Sequence, residues 1–192
     1  NTDAITANAQ AWADLQATVT VTGVTIASPP VVTFSVIDSF GRPVVGLGNT
    51  TKSSTATVAS YPNLAFALAK LVPGASGAPS KWVSYIVTTV PTTTTASAPQ
   101  RPGTDNTGTL VDHGDGTYTY TFYRDITTAS TQLAAMSVSP PNNIADLGDV
   151  SYNPSLTHRV TIALSGSAPA TGSNTPTGAT SAPRNALTNE LL

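Results

Sequence analysis

The stretch Val111–Tyr123, VDHGDGTYTYTFY, gathers one histidine, two carboxylates, two glycines and four aromatic residues into thirteen positions. Its second half alternates, with Tyr118, Tyr120 and Phe122 on one side and Thr117, Thr119 and Thr121 on the other. That is the period of a strand with one face buried. Its first half, His113-Gly114-Asp115-Gly116, falls where the chain must reverse. Asp-Gly is a strong hairpin signal because glycine reaches positive φ without a side-chain clash. The stretch predicts a β-hairpin. The competing reading is a calcium site on Asp112 and Asp115, but calcium asks for about six to eight oxygens from several positions and the EF-hand spacing is absent.

The same grammar extends in both directions. Val19 and Val21 alternate with threonines, and after Gly23 the apolar positions move to Val24 and Ile26, which predicts a β-bulge at Gly23. Val32, Phe34 and Val36 share a face and run into a turn at Asp38–Gly41. Residues 54–60, STATVAS, and 62–72, PNLAFALAKLV, read as strands. The alanines of the second would suit a helix, but Pro62 and Pro73 bracket it and Leu64, Phe66 and Leu68 fall on one face. KWVSYIVTTV (81–90), QLAAMSVS and HRVTIALSG supply further candidate strands, and PTTTTASAPQRPGTDNTG is a long exposed connection.

Strands at this spacing predict an all-β fold, a Greek-key β-sandwich or split β-barrel of Ig-like type. Residues 1–15 read as an N-terminal arm or short helix, with Ile5, Ala9 and Trp12 at helical spacing; 16–166 form the β-domain; 167–192, rich in Ser, Pro, Ala and Thr, read as a disordered or extended tail.

Composition agrees. Of 192 residues, 9% are charged against 40% hydrophobic, and Ser and Thr make up roughly a quarter of the chain. Solubility therefore rests on hydroxyls and amides. Eight basic residues are scattered singly in a chain of net charge −2, which leaves no electrostatic footprint for nucleic acid or an anionic membrane. No apolar run approaches a membrane span.

With no cysteine, thiolate metal sites, disulfides, thiol nucleophiles and c-type haem attachment are excluded within this chain. His113 and His158 stand 45 residues apart with no cysteine partners, a poor start for zinc. There is no G-x-S-x-G elbow, no phosphate-binding glycine loop and no paired-carboxylate pattern. The chain reads as non-catalytic. Trp82, Tyr85 and Tyr123 would suit a sugar platform, although strand faces are rich in such residues anyway. Asn49-Thr50-Thr51 is an isolated glycosylation sequon.

Several phrases taken together, VTVTGVTIASPPVVTFSVIDSFGRPVVGL, YPNLAFALAKLVPG, KWVSYIVTTVP, DNTGTLVDHGDGTYTYTFYRDI and YNPSLTHRVTIALSG, resemble the N-terminal region of decahaem outer-membrane cytochromes of the OmcA/MtrC family. The resemblance covers about residues 15–170, in order. It implies a haem-free β-domain at the extracellular face of the outer membrane, followed by CxxCH segments that carry c-type haem. Its partners would be the multihaem region of the same protein or partner cytochromes. None of those motifs stands in this chain. Because bis-histidine haems need a second axial ligand, His158 is the one candidate cofactor-binding residue, as a distal ligand to a haem beyond this chain. Its ordinary alternative is a strand-end residue beside Arg159 with a metal-free, partly accessible imidazole. A bacterial Ig-like adhesion or surface-layer domain is the competing functional reading.

Overall fold

The structure, a computed structural model, describes residues 2–3, 15–87, 102–135, 143–166 and 186–191. Strands β1 (Thr2–Asp3), β2 (Thr18–Thr25), β3 (Val31–Ile37), β4 (Val44–Val45), β5 (Leu64–Val72), β6 (Lys81–Ser84), β7 (Thr109–Asp112) and β8 (Thr117–Thr121) are followed by a short helix α1 (Ala129–Ala134), then β9 (His158–Leu164) and β10 (Ala186–Leu191). Two four-stranded antiparallel sheets carry the domain, in the orders β2-β3-β8-β7 and β10-β9-β5-β6, while β1 pairs in parallel with β4. In immunoglobulin lettering these orders are A-B-E-D and G-F-C-C′. The fold is a sandwich of Ig-like order, not a closed barrel.

Alternation explains which face each strand buries. β9 buries every second residue from His158 to Leu164, and β5 does the same from Leu64 to Lys70. The inward aromatics interlock across the gap. Phe66 of β5 stacks on Tyr120 of β8 with ring centroids 3.7 Å apart and meets Phe34 of β3 edge-on at 5.7 Å, while Phe34 also stacks on Tyr118 at 5.1 Å. Each such ring removes enough apolar surface from water to contribute about 2–3 kcal/mol.

The expected bulge is present: Val21 pairs with Phe34 but Gly23 with Thr33, so Thr22 is the extra residue. The hairpin is present too, β7 and β8 pairing from Asp112↔Tyr118 to Thr109↔Thr121. Residues 62–72 are strand, not helix.

Other local expectations are corrected. Residues 54–60 form no strand; only an isolated bridge joins Thr51 and Ser60. Of the strand expected over 132–139, residues 132–134 belong to helix α1, because Asp125 caps the preceding turn by accepting from the Thr127 amide and α1 follows directly, and residues 136–139 lie outside the described residues. Of the strand expected over 81–90, β6 ends at Ser84, whose hydroxyl takes the Ile86 amide in place of a ladder partner, and residues 88–90 lie outside the described residues. Residues 4–14, where the arm or helix was expected, and most of the connection at 91–108 lie outside the described residues, as do 167–185. Of the segment read as a tail, Ala186–Leu191 pairs antiparallel with Arg159–Leu164 of β9.

Candidate functional site

The hairpin turn comes first because it concentrates the most chemistry. Asp112 Oδ1 accepts the Gly114 amide at 2.8 Å and its Oδ2 accepts the Gly46 amide at 2.7 Å. Asp115 Oδ1 accepts from the Thr117 amide at 2.9 Å and hydroxyl at 2.6 Å. The hydroxyl bond foremost holds the Asp115 carboxyl below the usual range. His113 Nε2 lies 3.0 Å from Thr119 Oγ1. Gly116 adopts φ +86°, and a Cβ there would stand 2.6 Å from Pro43 Cβ. Both carboxylates thus brace a turn, and among the described residues no three His, Asp or Glu side chains gather as a metal site would need.

The second cluster lies inside, at the end of the β5–β9 pair, and sequence reasoning found one member of it. Lys70, fully buried on β5, donates to the Ser151 carbonyl and lies 3.5 Å from Asp149 Oδ2. Its ammonium also stands 5.5 Å from the Tyr85 ring centroid. The Tyr85 hydroxyl accepts the Asn153 amide at 3.1 Å and sits 3.4 Å from His158 Nε2. Lysine, tyrosine and histidine together fasten the 149–153 loop onto the sheet.

His158 is only 1% exposed, which corrects the expectation of a partly accessible imidazole. The cause is its phase: it shares the inward face with Val160 and Ile162. Burial, reinforced by Lys70, pushes its pKa below the ordinary 6.5, against a backbone hydrogen bond to Leu156 that pulls the other way. The imidazole is therefore neutral in the fold at neutral pH. Since the unfolded chain takes up the proton more readily, His158 contributes stability that is complete above about pH 6.5 and declines as pH falls below it. Urea midpoints should drop between pH 7.5 and 5, above the carboxylate range, and His158→Gln should flatten that slope. An unchanged slope in the variant would refute this assignment.

A third cluster surrounds Asp105, 1% exposed. Its carboxylate accepts the Tyr120 hydroxyl, the Tyr123 and Arg124 amides at 3.1 and 3.2 Å, and the Thr107 amide at 3.3 Å. Its backbone bridges to Phe66 in both directions. Burial, then the Asp105 charge, drives the Tyr120 phenol far above its ordinary value, so it stays a donor. This knot ties the segment after residue 101 to β5 and to the end of β8.

The remaining sequence candidates do not converge. Tyr85 is buried, whereas Trp82 and Tyr123 are 37% and 48% exposed at the ends of strands in different sheets, so no aromatic platform forms. The Asn49 carboxamide nitrogen is buried without a hydrogen-bond partner, which withholds it from glycosylation in the folded chain. His113 and His158 belong to different sheets. Among the described residues no set fits a haem: the chain has no cysteine, and one histidine braces the hairpin while the other is enclosed.

No family model matches the chain, and no curated protein does. Solved structures do. The crystal structure of the outer membrane decahaem cytochrome OmcA matches over 100% of this chain and 23% of its own, with TM-score 0.54 and 18% identity. MtrC from Shewanella baltica OS185 matches over 92% of this chain and 21% of its own, with TM-score 0.46 and 22% identity. The chain therefore spans about a quarter or less of those proteins, and what it shares with OmcA is a fold.

Proposed function

We propose that this chain is the haem-free N-terminal β-domain of an extracellular multihaem cytochrome, a non-catalytic scaffold that offers a packing surface to the haem-bearing region or to partner cytochromes. The observation that carries the reading is the correspondence of fold along the full length of the chain with under a quarter of a decahaem cytochrome. Electron transfer in such a protein belongs to haems held elsewhere. What these residues supply is a rigid body: two sheets locked by interdigitated aromatics and by two buried polar knots at Lys70 and Asp105.

The reading is tested by sequencing the transcript beyond Leu192 and recording the absorbance of its full-length product. Repeated CxxCH segments and a Soret band are expected there, with no Soret band from the 192-residue chain alone. Tandem β-repeats without CxxCH would replace it with the surface-adhesion reading, which the A-B-E-D/G-F-C-C′ order favours because that order is common among modules of that kind.

A further inference from the structure

The two sheets present different outer faces. In an antiparallel sandwich the outward residues meet water and are expected to be polar. The β2-β3-β8-β7 sheet mostly follows this, its outward positions carrying Thr18, Thr20, Thr33, Ser35, Thr117 and Thr119, with Val31, Ile37 and Val111 toward its ends and edge. The β10-β9-β5-β6 sheet does not. There Ala65, Ala67 and Ala69 of β5 lie opposite Ala163, Thr161 and Arg159 of β9, and on the other side Ala69 and Leu71 lie opposite Ser84 and Trp82 of β6. On β10, Leu187 and Leu191 hold the register positions opposite Ala163 and Arg159. Arg159 is the charged residue among the described residues of this face. Its guanidinium lies flat over the Trp82 ring at 4.2 Å, and its Nε is buried without a hydrogen-bond acceptor.

We propose that this alanine-paved face is where the polypeptide following Leu192 docks, the haem-bearing domain on the reading given above, on which this inference rests. Three observations select that occupant. β10 is an edge strand of the same sheet, on the opposite side from β6, and the pairing of Leu191 with Arg159 brings the chain out beside Arg159. Whatever follows therefore emerges at the margin of the apolar surface. Small side chains leave it flat, so a second body can approach closely and exclude water over a broad area. The Arg159 guanidinium, stacked on Trp82 and with its Nε lacking an acceptor, is the positive charge of this face and suits an acidic group on the arriving surface.

The chain has no cysteine, so single thiols report on each face without background; in the full-length product, haem-linked cysteines are thioethers and do not label. Ala67→Cys and Ala163→Cys should react rapidly with a maleimide in the 192-residue chain and at least about tenfold more slowly in the full-length product, as at the core of a packed interface. Thr119→Cys, on the hydroxyl face, should label at the same rate in both. Equal rates for Ala67→Cys and Ala163→Cys in the two proteins overturn the proposal. So does protection already present in the 192-residue chain, which would mean that its own residues cover the face. Equal labelling in a product with a Soret band sinks the docking face alone. Protection in a product without one sustains the docking face and sinks the cytochrome reading.

Discussion

Asp105→Ala is expected to lower the unfolding free energy by about 3–5 kcal/mol, because it strands the buried Tyr120 hydroxyl and three backbone amides at once. The loss exceeds that of an ordinary surface acid since Asp105 is buried and the Tyr120 hydroxyl cannot turn to water while the sandwich holds. Asp105→Asn should cost less, about 1–3 kcal/mol, as one carbonyl oxygen still accepts while the new amide nitrogen faces donors. Urea unfolding at neutral pH, with the dependence on denaturant unchanged, reads both values. A change under about 1 kcal/mol for Asp105→Ala would mean the knot is dispensable.

Lys70→Ala should cost a similar amount, about 3–5 kcal/mol, by leaving the Ser151 carbonyl without its donor and a cavity where the four-carbon stem packs. Lys70→Met restores the stem but not the ammonium and should recover more than half of that loss. The partner carboxylate is another matter. Asp149 is 60% exposed, and Asp149→Asn should change stability by no more than about 0.5 kcal/mol. Thermal or urea denaturation of the three variants separates the contributions. If Met and Ala are equally damaging, the ammonium's bond to the loop outweighs the packing of its stem.

These two residues also mark where the sequence was legible and where it was not. Lys70 stands in phase with Leu64, Phe66 and Leu68, and His158 with Val160 and Ile162, so their inward direction was written in the alternation. The partners were not: Ser151 and Asn153 belong to a loop about 80 residues from Lys70 in the chain, and no local pattern specifies a loop's approach. Asp105 was invisible for the same reason, since its acceptors serve amides of residues 123 and 124. The hairpin and the bulge were readable because each follows from φ and parity within a few residues. Residues 132–134 misled because a short apolar run is equally compatible with a strand and with the end of a helical turn. Face polarity was partly legible: the threonines of residues 117–121 announced one wet surface, but the alanines of β5 became informative only once β9 was known to lie beside them.

The pairing of distant strands sets when this domain can fold. β5 finds β9 through contacts such as Leu64 with Leu164, and β3 finds β8 through Val31 with Thr121, so each sheet's central pair spans roughly half the chain. Loops of that length must close before any core contact rewards them, which places such a topology in the millisecond-to-second class. A polypeptide threaded N-terminus first would hold β5 with only β6 beside it until β9 emerged, and the β9 edge would stay open until Ala186–Leu191 arrived. β10 is thus the last of these described strands to join the sheet, and a chain cut before residue 186 would present β9 as an unpaired edge to any other strand it met.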